Sequence, residues 1–122
     1  AIPFSFVDLG TVATDLLRHV YADADIFVDS SDFQGFGLCP LEAMAMGCGC
    51  VLTDSGGILE YAKHGVNALI VPHDVHALAA SVETLIKDPT LRQRLGAAAV
   101  ETAQAFDYSR TTYAWRRLFN QE

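Results

Sequence analysis

The residues most able to do chemistry lie between Ser30 and Gly47, in the run SSDFQGFGLCPLEAMAMG. Gly35 and Gly37 precede Pro40, and Glu42 follows shortly after. Glycines tolerate tight backbone conformations and let a ligand come close to the main chain. A helix beginning just after them leaves several amides without intrahelical partners, and its dipole places partial positive charge at the same end. Both effects favour a phosphate. Pro40 has no N–H to offer, so the useful donors are the amides of Gly37, Leu38 and Cys39. Glu42, within about one turn of that start, can accept hydrogen bonds from two neighbouring hydroxyls, as on a ribose. A phosphate cradle beside a diol acceptor suits a nucleoside diphosphate.

Each part also has a plainer reading. A short glycine pattern by itself is an ordinary strand-to-helix turn. Glu42 by itself is an acid near a helix N-terminus, interacting with the dipole. The dinucleotide fingerprint G-x-G-x-x-G is not met, because Pro40 stands at the third glycine position. A redox Rossmann domain is therefore the poorer reading.

The elements that must position this stretch alternate. Asp25 to Asp29, Cys50 to Thr53 and Ala68 to Val71 are short, mostly apolar runs bounded by polar or turn residues, which predicts strands buried on both faces. Phe4 to Val7 is a candidate fourth strand. Helical patterns occupy Val12 to Ala22 and Pro40 to Met46, with a short turn around Ile58 to Ala62. This alternation predicts a parallel sheet covered by helices, with ligands at the carboxyl ends of the strands. Asp74 can cap a helix with Leu78, Val82, Leu85 and Ile86 on one face. Asp88 and Pro89 can open another through Leu91, Leu95 and Ala98, and Asp107 a third carrying Tyr113, Trp115 and Phe119.

With 122 residues, 51% of them hydrophobic, the chain can bury one core, which predicts a single domain. Eight basic against 15 acidic residues give a net charge of −7, which opposes the phosphate neutralisation that nucleic-acid binding needs. No run approaches the roughly 20 apolar residues that span a bilayer, and the start AIPFSFVDLG lacks the pattern of a secretory leader. A soluble, cytoplasmic location is expected, as is an origin in the middle of a longer protein. Cys39, Cys48 and Cys50 are odd in number and sit in apolar or Gly-rich runs, so free thiols are expected rather than disulfides. Cys48, Cys50 and His64 fall short of the paired, four-ligand spacing of a zinc site, and no metal is predicted. His19, His73 and His76 read as solvated or capping residues. Phe106, Tyr108 and the later aromatics read as packing groups.

The central segment resembles the glycosyltransferase group 1 family (family 4, GT-B fold). Its pattern is matched by Ser31, Gln34, Gly35, Phe36, Gly37, Leu38, Glu42, Ala43, Met44, Ala45 and Gly47. The likeness extends upstream through Tyr21 and Ala24-Asp25, and downstream through Gly56-Gly57-Ile58, Glu60, Gly65-Val66-Asn67, Val71-Pro72, Asp88-Pro89 and Leu91-Arg92. It implies a Rossmann-like α/β fold, a parallel sheet flanked by helices, forming the C-terminal half of a GT-B enzyme truncated at its N-terminus. Residues 1–122 would be part of the nucleotide-sugar-binding domain. The reaction implied is sugar transfer from a nucleotide diphosphate sugar to a glycan, lipid or small-molecule acceptor held by a missing N-terminal domain, through which the protein could also sit at a membrane surface. The nucleotide sugar would be a substrate, with no cofactor besides. The family's Glu-x7-Glu motif implies that Glu42 binds the ribose hydroxyls. Its first acid is here Gln34, which keeps an acceptor oxygen, adds two N–H donors and loses the charge. Gln34 and Glu42 are thus the catalytic candidates. Ser31, Gly35, Phe36, Gly37, Leu38, Cys39, Glu42, Gly56 and Gly57 are the donor-binding candidates. The alternatives are a nucleotide-sugar epimerase or glucan phosphorylase relative on the same scaffold, and a non-catalytic nucleotide-binding module.

Overall fold

Strand β2, Gly49–Thr53, is buried at all five positions and forms the centre of the sheet. Its run Cys50-Val51-Leu52 has no polar alternation, so both faces need cover. In the computed structural model, which describes residues 4–106, β2 pairs in parallel with Ile26–Asp29 (β1) on one side and Leu69–Val71 (β3) on the other. Ile26 stands opposite Gly49, and Val51 opposite Leu69.

Successive β2 side chains feed two separate layers. Cys50 and Leu52 pack with Tyr21 of helix α1 (Thr14–Asp23), with Leu41, Ala43 and Met44 of helix α2 (Leu38–Ala45), and with Ile58 of a 3-10 turn spanning Gly57–Glu60. Val51 faces the other way, onto Leu85 of helix α3 (Val75–Lys87) and Leu95 of helix α4 (Pro89–Ala105). The result is the expected α/β fold, a parallel sheet flanked by helices. No helix among the described residues is long and apolar enough to cross a membrane.

The helix signals act locally. Asp74 accepts from the His76 amide at 3.2 Å and Asp88 from the Leu91 amide at 3.0 Å, while Pro89 opens α4 where a missing N–H does no harm. Leu78, Val82 and Leu85 turn toward the core, but Ile86, expected on that face, is exposed. Helix α2 begins at Leu38, two residues before the expected Pro40, because Gly37 takes a left-handed conformation (φ 87°) and serves as its N-cap. Phe4 to Val7 form no strand, and Phe4, Phe6 and Val7 are exposed: among the described residues they have no ladder partner to satisfy their backbone. The helix expected from Asp107, with Tyr113, Trp115 and Phe119, lies outside the described residues.

Helix α4 lies close against α2 and β2 because its facing residues are small. Gly96, Ala99 and Ala103 are buried, and a Cβ on Gly96 would overlap the carbonyl of Gly47 at the end of α2. Gly→Ala in a helix ordinarily stabilises by about 0.4 to 1 kcal/mol. Here Gly96→Ala is expected to destabilise by about 1 to 3 kcal/mol through overpacking, lowering the urea midpoint without changing the slope. An unchanged or raised midpoint would contradict this close approach.

Candidate functional site

At the carboxyl edge of the sheet, the segment leaving β1 is stitched to the one leaving β2. The Gln34 amide donates to the Ser55 carbonyl at 2.9 Å, and the Gly57 amide donates to the Gln34 carbonyl at 2.9 Å. Thr53 Oγ1 donates to the Ser31 carbonyl at 2.6 Å. The two segments can approach this closely because residue 57 has no side chain: a Cβ there would overlap the carbonyls of Gly35 and Gln34.

Side chains reinforce the join. Gln34 Nε2 donates to Asp29 Oδ2 at 3.1 Å and to Ser55 Oγ at 3.3 Å. The other Asp29 oxygen accepts from both the amide and the hydroxyl of Ser31. Behind this layer the buried Tyr61 donates its hydroxyl to the Gly37 carbonyl and packs edge-on against Phe36, with ring centroids 5.3 Å apart. Burial raises the Tyr61 phenol pKa, helped by the nearby Cys50, Asp29 and Cys39.

Helix α2 starts from this platform with its donors uncommitted. Gly37 supplies no side-chain cap and the first turn contains no acid. Helices α3 and α4, by contrast, are capped by their own aspartates. The buried face of α2 carries Pro40, Leu41, Ala43 and Met44, whereas Leu38, Cys39 and Glu42 are exposed. Glu42 is four residues after Leu38 and three after Cys39, so the three share one face. Tyr21 lies beside them: its phenol pKa is pushed up to about 12, first by burial and then by the neighbouring Cys39 and Glu42. The arrangement can hold an anion on backbone amides and a pair of hydroxyls on a carboxylate.

Gln34, Gly35, Gly37, Leu38, Cys39, Gly56 and Gly57 are thus brought to one edge, with Glu42 a turn into the helix. Ser31 engages Asp29 through its hydroxyl, and Phe36 forms a three-ring cluster with Tyr61 and Phe106. Gly57 places its amide on Gln34, and the Gly56 amide meets Asp54 Oδ1 at 3.4 Å. Sequence reasoning missed Asp29, Ser55 and Tyr61 as parts of the platform. A charged residue ending an apolar strand was a usable signal for Asp29; the others depend on pairing across more than 20 residues.

The remaining candidates lie elsewhere. The Cys48 thiol donates to the Tyr21 carbonyl and Cys50 to the Cys48 carbonyl, both buried. His64 Nδ1 accepts from the Ile70 amide, and His73 Nε2 lies 2.6 Å from the Asp54 carbonyl. A cavity of about 210 Å³ opens on the α3 side, lined by Ser30, Asp32, Thr53, His73, Asp74, Val75 and Leu78, and none of the predicted site residues lines it.

A parallel sheet flanked by helices matches the C-terminal domain of GT-B glycosyltransferases, and comparison with solved structures supports it. The chain superposes on sucrose-phosphate synthase from Thermosynechococcus elongatus with a TM-score of 0.80, at 28% identity over 93% of this chain and 30% of that one. Anabaena HepE in complex with UDP gives a TM-score of 0.75, at 26% identity over 84% of this chain and 29% of that one. An uncharacterized glycosyltransferase of Methanocaldococcus jannaschii is 34% identical over 92% of this chain and 27% of its own length. Residues 8–102 match the family model for glycosyl transferases group 1, and the chain belongs to that family. It spans about a quarter to a third of the length of these relatives.

The raised phenol values set a direction for alkaline stability. The fold favours the neutral phenol and unfolding lets it ionise. The contribution is therefore complete below the ordinary value of about 10 and is lost as pH rises toward about 12 at Tyr21. Urea unfolding between pH 8 and 12 is expected to show a shallower loss of stability with pH in Tyr21→Phe than in the parent. Identical slopes would contradict the placement of Tyr21.

Proposed function

We propose that this chain is the donor-binding part of a glycosyltransferase that moves a sugar from a nucleotide diphosphate sugar to a glycan, lipid or small-molecule acceptor held by a facing domain. The observation that carries the reading is the start of α2, where Gly37 leaves the first amides without a side-chain cap while Glu42 stands exposed one turn on. The amides of Gly37, Leu38 and Cys39 take the diphosphate, and Glu42 takes the ribose hydroxyls. Gln34 faces the sugar. Ser31, Gly35, Phe36, Gly56 and Gly57 shape the loops around them. Membership of the group 1 family supports the reaction class, and UDP bound to the structurally similar HepE supports a nucleoside diphosphate as the ligand. We place the reaction in the cytoplasm, a reading supported by the free Cys39, Cys48 and Cys50, and assign it to polysaccharide assembly.

In this reading protein and substrate divide the labour. A helix N-terminus contributes about 0.3 to 2 kcal/mol toward an anion, enough to orient a diphosphate. Holding the leaving group in place converts the attack of an acceptor into an intramolecular step once the second domain closes on the site.

Glu42→Ala in the whole protein is expected to weaken nucleotide-sugar binding by about ten- to 150-fold, the equivalent of a lost charge-assisted hydrogen bond of about 1.5 to 3 kcal/mol. Cys48→Ser, a change in the buried layer behind, is expected to leave affinity within a factor of about two. Calorimetry of both variants against the parent tests this; equal affinity in parent and Glu42→Ala would remove the ribose assignment.

A further inference from the structure

The orientation of Gln34 is dictated by its neighbours. A carboxylate can only accept hydrogen bonds, so Asp29 selects the NH2 end of the Gln34 amide. Ser55 Oγ accepts from the same nitrogen, and turning the amide over would set its oxygen against the Asp29 carboxylate. The Gln34 oxygen is therefore sent the other way, toward Gly37, where it lies 3.1 Å from the position a Cβ would occupy. Among the described residues no hydrogen bond is made to this oxygen, and none of their buried side-chain oxygens or nitrogens is left without a partner, so Oε1 stands beside the start of α2 with its acceptor capacity unspent on them and is not a buried orphan.

Resting on the donor-site reading above, we infer that Asp29 is a positioning residue that makes Gln34 a neutral, one-way acceptor for a hydroxyl of the donor's sugar. The negative charge that a glutamate would bring to position 34 is held one hydrogen bond further back, at Asp29. The two positions are therefore coupled: Gln34→Glu on its own sets two carboxylates about 3 Å apart, where one must take up a proton or swing away. Asp29 itself touches no substrate. Its effect passes through the direction of the Gln34 amide.

Four forms of the whole protein test this: the parent, Gln34→Glu, Asp29→Asn and the double variant. Two readouts are taken from each. The first is urea stability from pH 4.5 to 8. In Gln34→Glu one carboxyl is expected to titrate about one to three units above its ordinary value, so that stability present at low pH is lost as pH rises through that value. Asp29→Asn in the same background is expected to abolish this dependence. Tyr61, whose phenol pKa is raised by burial and by the Asp29 charge, stays protonated throughout this window, and Asp32, Asp54 and His73 on the neighbouring loops are present in all four forms.

The second readout is calorimetric affinity for UDP, GDP, ADP and dTDP and for the glucose conjugate of each. In Asp29→Asn the amide oxygen is held by the backbone N–H of Ser31, so the NH2 group faces Gln34 and favours the reversed Gln34 amide; the affinity gained from the attached sugar is expected to fall about three- to tenfold while bare nucleotide binding is unchanged. If Gln34→Glu does not fold at any pH, the Asp29→Asn and double variants still decide the matter, the double variant being expected to fold. A Gln34→Glu profile that parallels the parent's, or a sugar contribution unaffected by Asp29→Asn, would overturn the inference. A parent that binds none of the eight compounds would overturn the donor-site reading and the hydroxyl role of Gln34 with it, while the pH profile would still judge the Asp29–Gln34 coupling separately.

Discussion

The close approach of two main chains at Gly57 is the constraint on which the rest of the site depends. With no side chain at that position, the segment leaving β2 donates to and accepts from Gln34 on the segment leaving β1. The loop between Ser30 and Gly37 is thereby anchored at its middle. Gly37 is then pinned by Tyr61, and α2 departs from a defined point with a defined direction. The proposed anion site on backbone amides has only as much precision as the backbone that carries it, and here that backbone is fixed by a missing Cβ and a buried phenol.

Electrostatics separates this helix start from those of α3 and α4, and from that of α1, which is also without a side-chain cap but carries Asp15 in its first turn. Helices α3 and α4 spend their first donors on Asp74 and Asp88, which satisfies the amides locally and adds negative charge that repels a second anion. Helix α2 has a glycine in that place and no acid in its first turn. In a chain with net charge −7, such an uncapped start is a local exception to a field that otherwise turns phosphates away. The cavity on the α3 side is lined by Asp32 and Asp74 and shows the opposite character.

Much of the scaffold was legible in the sequence because its determinants are local. The fully apolar run of β2, the Asp74 and Asp88 caps and Pro89 each act within a few residues, and each element appears where those signals place it. The two-residue error at α2 came from treating Pro40 as the first helical residue, when a left-handed Gly37 lets the helix start earlier and accommodates proline inside the first turn. Phe4 to Val7 misled because apolar composition alone does not supply a strand partner. The glycine-and-acid segment stood out in the sequence as the candidate phosphate site, but most of its support did not. Ser55 and Tyr61 join it through contacts spanning 21 and 24 residues, and nothing local announces them, whereas Asp29, five residues from Gln34, left a local signal as the charged end of an apolar strand.

The most direct measurement is a set of amide 1H–15N spectra of the whole protein titrated with UDP and with GDP. Perturbations are expected to centre on the amides of Gly37, Leu38 and Cys39, with Val75 and His76 at the aspartate-capped start of α3 as the internal control. Shifts that centre on α3 instead, or no shift with either nucleotide at millimolar concentration, would contradict the assignment of the uncapped α2 start as the diphosphate site.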